Sequence, residues 1–384
     1  MTVLDDLAVK AGDDDAVGGV PARLVAAPGS TEEAAALIAA AQDLHVVVRG
    51  GGTKLHWGNP PRELDLIIDT RRLAGVREHA AGDLITVVGA GTPMAMLHAL
   101  PGQQLALDAP PGATAGGTVA ANSSGPRRLR YGTSRDLLIG ITVVRPDGKI
   151  AKAGGRVVKN VAGYDLGKLY TGSFGTLGLI TECVFRLHPV TQAASFVRVT
   201  APPGCATRVL AAQAAASALE VHAAPGADPE IAVLLEGTAA GLRDRAEAMA
   251  KLLGGGEVST EPPSWWDTPP PGDVLVKLTG VLSQVPALVA TAVGAGATVT
   301  GSAGTGVLYA GFPADGGDPR SRLELLRAAT VRAGGHAVVL SAPDEVRDTL
   351  DLWGPVPGLA LMRRVKNQFD PGHRFAPGRF VGGI

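Results

Sequence analysis

The sequence predicts an α+β protein, on three observations. Residues up to about 190 alternate short strands with helices. A long stretch, residues 105–140, is dense in Gly, Pro, Ser, Thr and Asn between apolar segments. After Pro189 a second alternation of strands and helices begins and runs to about residue 350. Alternating elements bury one face each and need a second layer, which points to α+β or α/β packing. The chain has 384 residues, enough for two cores.

In chain order, "STEEAAALIAAAQDL" opens with an N-cap at Ser30 or Thr31, puts Glu32 and Glu33 in the first turn and continues with strong helix formers. "VVVRGGGTKLHWG" from Val46 is a β-branched strand running into three glycines. Those glycines are either a turn or a nest of backbone N–H groups for a phosphate, with Arg49 or Lys54 adding charge. "LDLIIDT" and "DLITVVGAG" are strand-like, and "TPMAMLHAL" is a short helix. Residues 105–140, rich in turn formers, read as a loop wrapping a ligand. "GITVVRPDGKIAKAGG" reads as a hairpin around Asp147 and Gly148. "VVKNVAGYDLGKLYTGSFGTLGLITECVFRLHPV" is another glycine-rich turn leading into a strand. In the second part, "IAVLLEG", "DVLVKLTG", "GVLYAGF" and "HAVVLSA" are strands, while "CATRVLAAQAAASALE", "LRDRAEAMAKLL" and "SRLELLRAATVRA" are helical. The tail "LALMRRVKNQFDPGHRFAPGRFVGGI" is a short basic helix followed by an extended end.

Composition narrows the function. Charged residues are 18% and apolar residues 46%, as in a globular chain, and the formal net charge of -1 gives no general attraction to nucleic acid or to anionic membranes. Cys183 and Cys205 are the two cysteines, so the sequence carries neither a disulfide framework nor cysteine ligands for an iron–sulfur cluster. With no basic and apolar leader and no apolar run of about 18 residues, the expected location is cytoplasmic. The glycine spacing after Val48 fits neither G-x-G-x-x-G nor G-x-x-x-x-G-K-[ST], which removes the Rossmann and P-loop cradles.

Four segments, in order, carry a resemblance: "VRGGGTKLHWG", "APPGATAGGTVAANSSGPRRLRYGTSRDLLIGITVVRPDGKI", "KNVAGYDLGKLYTGSFGTLGLITECVFRLHP" and "FDPGHRFAPGRF". Together they resemble the PCMH-type flavoproteins, also called the vanillyl-alcohol oxidase type, and among these the FAD-binding subunits of bacterial glycolate oxidases. The resemblance implies a two-subdomain FAD-binding domain over residues 1–190, a smaller α+β cap domain over 191–350, and a segment 351–384 that returns to the flavin domain. It also implies noncovalent FAD, because Thr53 stands where some relatives carry a flavin-linking histidine.

By that resemblance Arg49, Gly50, Gly51, Gly52 and Thr53 supply backbone N–H groups to the diphosphate. Pro111, Gly112, Thr114, Gly116, Gly117, Asn122, Ser124 and Gly125 line the cofactor. Gly132, Arg135 and Asp136 brace its ribityl or adenosine side, and Ile180 and Glu182 lie on the strand beside the adenine. For Asp136 and Glu182, tying down a loop is the equal alternative. Arg127, Arg128 and Arg130 either face an anion, meet a partner or form a solvated turn. Tyr164 and Asp165 are candidates for the base, against aromatic packing and capping; Lys366 and Arg379 are candidates to hold a carboxylate. Trp265 and Trp266 mark an interface, a lid or half-buried anchors.

Relatives with a full hydroxy-acid site carry a metal-holding "HAGDGN"-like segment. The eight histidines here are scattered, so no metal is expected. The implied function is the FAD-binding subunit of a glycolate oxidase complex that oxidises glycolate or a similar 2-hydroxy acid. Its partners would be a related catalytic flavoprotein subunit and an iron–sulfur subunit, with membrane contact only through them. The alternatives are a stand-alone FAD-dependent dehydrogenase of a small hydroxy acid or alcohol, and a non-catalytic assembly subunit.

Overall fold

A computed structural model of the chain describes residues 3–156 and 164–384. The "VVKNVAG" portion of the third motif, residues 157–163, lies outside the described residues. The chain divides into two compact units. The first runs through Ser124, resumes over Gly132–Val190 and takes in Val356–Ile384; the second comprises Gly125–Tyr131 and Thr191–Pro355.

In the first unit the helix Thr31–Ala40 starts where its cap dictates: the Ser30 hydroxyl accepts from the Glu33 N–H at 3.0 Å. Its Leu37 and Ile38 are fully buried, each contributing about 1.5–3 kcal/mol of apolar burial. They pack with Val46, Leu66, Ile68 and Phe375. A four-stranded sheet follows the order Ala8–Lys10, Leu24–Ala26, Leu66–Asp69, Val46–Arg49, with its last three strands parallel. The tail returns to this sheet. Val46 donates to the Arg374 carbonyl at 2.8 Å and accepts from the Ala376 N–H at 2.7 Å, so Phe375 lies beside Val46 as a further edge.

A second, antiparallel sheet has the order Ile150–Gly154, Leu138–Val144, Leu179–Arg186, Ile85–Gly89, Val76–Ala80. The expected hairpin joins its first two strands, with Gly148 at φ 79° in the turn. Residues 105–140 are less of a loop than their composition suggests: they contain the short helices Ala115–Ala120, Arg128–Tyr131 and Ser134–Leu137.

The second unit is one antiparallel eight-stranded sheet. Its order is Glu257–Ser259, Ala193–Thr200, Glu230–Gly237, Ala216–Ala223, Thr298–Ser302, Val307–Phe312, Val274–Thr279, Ala337–Ser341. The helices Ala239–Leu252, Val285–Gly294 and Pro319–Arg332 contribute Met249, Leu288 and Leu326 to the core built on one face. Sequence reading continues a helix through residues 205–220. The helix instead stops at Ala211, and Ala216–Ala223 is a strand. Gln213 and Ala215, both at φ 50°, break the helix, and Leu219 and Val221 then alternate into the core.

Gly125–Tyr131 belongs to this second unit for local reasons. Leu129 packs against its core, the Tyr131 hydroxyl donates to Glu236 Oε2 at 2.9 Å and Arg130 donates to Ser217 Oγ at 3.1 Å. Trp265 and Trp266 are half-buried in the same unit. Trp265 stacks on His222 and donates to Glu230 Oε2 at 2.9 Å, and Trp266 meets Phe196 edge-on.

Candidate functional site: a glycine-walled cleft in the first unit

The strand Val46–Arg49 delivers the first glycine loop to the rim of a cleft with about 780 Å³ of open space. Gly50, Gly51, Gly52 and Thr53 line it together with Thr114, Gly116, Gly117 and Ile180. Thr114 is the N-cap of the helix Ala115–Ala120, accepting from the Gly117 N–H at 3.4 Å. Gly116 donates to the Ala90 carbonyl at 2.7 Å, fixing the helix start against the strand Ile85–Gly89.

The walls close tightly at the glycines. A Cβ on Gly50 would sit 2.4 Å from Thr114 Oγ1, and one on Gly116 would sit 2.7 Å from the Ala90 Cβ. Only glycine permits that approach. Among the described residues, the backbone N–H groups of Gly50, Gly51, Gly52 and Thr53 find no protein acceptor. Four consecutive free donors at a cleft form an anion nest, whose partial positive charges suit a phosphate or diphosphate.

Among the described residues, the charged ones of the lining are Lys54 and Arg379, and no carboxylate lines the cleft. His56 is held below its ordinary pKa by burial first, and then by the positive charges of Lys54 and Arg379. The cleft is therefore electropositive. FAD, with a dianionic diphosphate, fits this donor set: the nest of Gly50 to Thr53 would take the diphosphate, and Lys54 and Arg379 would balance its charge.

Several residues expected at the cofactor do other work. The Arg49 guanidinium binds Asp15 at 2.7 Å and Asp69 at 3.1 Å, so its charge is spent inside the fold. Gly112 does not line the cleft, but its carbonyl braces Gly51, and Pro111 beside it is exposed. Asn122 holds φ 46° and accepts from Ser134 Oγ at 3.0 Å. Asp136 caps its helix, accepting from the Thr133 N–H and hydroxyl at 2.8 and 2.7 Å beside the turn at Gly132. Burial pushes the Asp136 pKa up, but those bonds outweigh it and leave the pKa below its ordinary value. Arg135 is exposed, and its carbonyl accepts from Lys168. Ser124 is half-buried outside the lining, and Gly125 falls in the second unit. Glu182 accepts from Thr142 at 3.1 Å and pairs with Arg77 at 2.9 Å, a structural tie between strands.

The candidates for catalysis fare differently from one another. Lys366 is fully buried, and its ammonium donates to the Thr176 carbonyl, Asp370 Oδ2 and the Phe375 carbonyl at 2.7, 2.7 and 2.8 Å. With all three protons engaged, it has none left for a substrate carboxylate. Tyr164 is 94% exposed, so it neither packs its ring nor faces the cleft. Asp165 stands 3.9 Å from Lys168. Arg379 does line the cleft, clamped by the carbonyls of Leu55, Trp57 and Asn59, and burial lowers its pKa to about 10.

Sequence reasoning named neither Thr70 and Ala90 nor Phe174, Gly175 and Gly178 as site residues, yet all five line the cleft. The last three come from "GSFGTLG", whose glycines were the signal available there, and in the structure Phe174, Gly175 and Gly178 all hold positive φ.

Comparison with known proteins agrees with this geometry. Residues 22–154 match the FAD binding domain family, and the chain carries an FAD-binding domain of the PCMH type there. The chain is 36% identical over 172 residues to the D-lactate dehydrogenase of Archaeoglobus fulgidus, a match spanning 43% of this chain and 39% of that protein. It is 35% identical over 159 residues to the glycolate oxidase subunit GlcE of Escherichia coli, spanning 40% of this chain and 45% of that one. It is 36% identical over 172 residues to the glycolate oxidase subunit GlcD of Bacillus subtilis, spanning 43% and 37%. These matches thus cover less than half of each relative's length. Among solved structures, an alkyldihydroxyacetonephosphate synthase superposes with a TM-score of 0.67 at 18% identity, over 93% of this chain and 76% of that one. A chitooligosaccharide oxidase superposes with a TM-score of 0.62 at 16% identity, over 94% and 92%. At those identities the likeness is one of fold. No helix among the described residues is long and apolar enough to cross a membrane.

Proposed function

We propose that this protein is an FAD-dependent oxidoreductase acting on a small 2-hydroxy acid such as glycolate or lactate, and that it works as the FAD-binding subunit of a glycolate oxidase type of complex. The observation that carries the cofactor half of this reading is the run of free N–H donors from Gly50 to Thr53 in an electropositive cleft. The substrate half is supported by the sequence matches to proteins named D-lactate dehydrogenase and glycolate oxidase subunit. Bound FAD supplies the hydride acceptor for converting the hydroxy acid to the oxo acid. The chain's own residues bind and orient it: the glycine walls admit it, the nest holds the diphosphate, and Arg379 fixes the carbonyls of the Leu55 to Asn59 loop around it. Thr53 offers no imidazole, so FAD is held noncovalently. The partners in this reading are a related flavoprotein subunit and an iron–sulfur subunit, since Cys183 and Cys205 are both buried single thiols.

The test is direct. Purified protein should be yellow, and acid precipitation should release all flavin into the supernatant. Anaerobic mixing with glycolate or D-lactate, alone and with co-expressed partner subunits, should bleach the flavin absorbance near 450 nm, a general property of reduced flavin of about that wavelength. A colourless preparation that cannot be reconstituted refutes the flavoprotein reading, and flavin that stays oxidised in both mixtures refutes the hydroxy-acid reading.

A further inference from the structure

Two cations of the tail are buried, and they are compensated differently. Lys366 sits against Asp370 at 2.7 Å, with both side chains 1% exposed. Arg379 is 4% exposed and, among the described residues, has no carboxylate partner. Burial is the one influence that moves its pKa, and no carboxylate opposes it. Its Nε donates to the Asn59 carbonyl at 3.3 Å, and its Nη2 donates to the carbonyls of Leu55 and Trp57 at 2.7 and 2.8 Å. Nη1 donates to no protein atom among the described residues, yet it is not sealed from solvent. Because Arg379 lines the cleft, that nitrogen opens onto it.

Carbonyl dipoles satisfy N–H groups but carry no net negative charge, so a guanidinium taken out of water among them still lacks a counter-ion. The missing charge has a place to sit. The Leu55 carbonyl holds Arg379, and the Leu55 N–H donates to the Gly52 carbonyl at 3.2 Å, so one residue joins the guanidinium to the loop of free N–H donors. An anion held by that nest would supply the counter-charge.

The tail is anchored in two stretches. Its root is bonded to Val46 through the Arg374 carbonyl and the Ala376 N–H, and Asp370 accepts from the Phe375 N–H at 2.8 Å. Its end holds to the loop of residues 55–62 through Arg379. There the Arg62 N–H donates to the Pro377 carbonyl at 2.8 Å and the Asn59 N–H to the Arg379 carbonyl at 3.1 Å. Phe380 meets the cleft residue Phe174 at 5.4 Å between ring centres. Ala376 and Gly378, at φ 47° and 85°, turn the chain between root and end.

We propose that residues 377–384 form a strap whose docking depends on an anion in the cleft: it is closed when the nest holds a diphosphate and released when the nest is empty, with the charge of Arg379 as the sensor. That the anion is the FAD diphosphate rests on the flavin reading above; the charge argument does not. An occupied nest neutralises Arg379, and the closed strap lays Phe380 against Phe174. Cofactor uptake and strap closure are then one coupled equilibrium, each favouring the other.

The experiment is hydrogen–deuterium exchange, read by mass spectrometry, on the full-length protein. It compares flavin-loaded protein, flavin-free protein, and flavin-free protein with inorganic pyrophosphate or with sodium chloride at the same ionic strength, and is repeated on Arg379→Met and Arg379→Lys. Peptides covering residues 377–384 and 57–62 read the strap and its loop, and the helix Thr31–Ala40 shows that each variant is folded. The expected result is exchange about tenfold faster in the strap and loop of the flavin-free protein, slowed again by pyrophosphate and not by chloride, with the helix unchanged. In Arg379→Met the strap no longer responds to pyrophosphate; in Arg379→Lys, which keeps the charge, it does. The proposal is overturned if the strap is as protected in the flavin-free protein as in the loaded one, if the helix loosens with it, if FAD protects and pyrophosphate does not, or if Arg379→Met responds as wild type does. A protein that takes up no flavin defeats the proposed function, while the pyrophosphate arm still reads the strap.

Discussion

The carbonyl oxygen of Gly112 occupies the space where a side chain on Gly51 would begin: a Cβ there would lie 1.8 Å from it. Two loops far apart in sequence are thus in backbone contact at the mouth of the cleft.

Gly51→Ala must push the two loops apart, displacing the free N–H groups from their common focus. The expected outcome is loss of most bound flavin, read as the ratio of absorbance near 450 nm to that at 280 nm, while the far-ultraviolet circular dichroism stays near wild type. Gly82→Ala is the control, because a Cβ at Gly82 meets nothing within 4 Å; its flavin content should match wild type.

The buried Lys366 and Asp370 side chains are both 1% exposed. Lys366→Met leaves a buried carboxylate without its cation, which should destabilise the fold by about 3–5 kcal/mol in urea unfolding. Adding Asp370→Leu should recover part of that loss, because apolar replacement of both partners removes the stranded charge. A single variant as stable as wild type would show that the pair does not anchor the tail.

Acid should loosen the first glycine loop. Hydrogen bonds from the Gly12 N–H and the Arg49 side chain hold the Asp15 pKa below its ordinary value. For Asp69 burial acts upward, but the bonds from Arg71 and the charges of Arg71 and Arg49 outweigh it, so its pKa is also lowered. With folded values below the unfolded value of about 3.9, both carboxylates stabilise the fold above that pH, and the benefit disappears as pH falls through the folded pKa values. Melting temperature should therefore drop steeply below about pH 4, and Asp69→Asn should flatten that slope while lowering stability at neutral pH. An unchanged slope would remove Asp69 from the acid transition.

Tyr131→Phe deletes the donor at 2.9 Å from Glu236, a carboxylate that is 6% exposed. Burial first, and then Glu236, raises the Tyr131 pKa to about 12, so the phenol is a donor at any ordinary pH. The expected loss is about 1–3 kcal/mol, read by urea unfolding, and the flavin-to-protein ratio should not change.

What could be read in the sequence follows the physics of each residue. The glycines at 50 to 52 announced themselves because no other residue tolerates such close approach, and Ser30 did so because a cap is a local hydrogen bond. Lys366 was misread for the opposite reason. On a helix with Arg363 and Arg364 it looks like another cation for solvent or ligand, and only the return of the tail puts it beside Thr176 and Phe375. Glu182 was ambiguous until Arg77, a residue from another strand, was beside it. The strand Ala216–Ala223 hid in alanine, which favours helix locally and yields to a sheet when its neighbours Leu219 and Val221 find a core.

The bridge between Val46 and Phe375 also has a consequence for biosynthesis. The strand that ends at the first glycines gains its last edge partner, and the cleft gains Arg379, only after more than 300 further residues have been synthesised. Contacts this distant in sequence form late. Cofactor capture then waits on the synthesis of residues 375–379, and a nascent chain stalled before Phe375 would not hold flavin in this cleft.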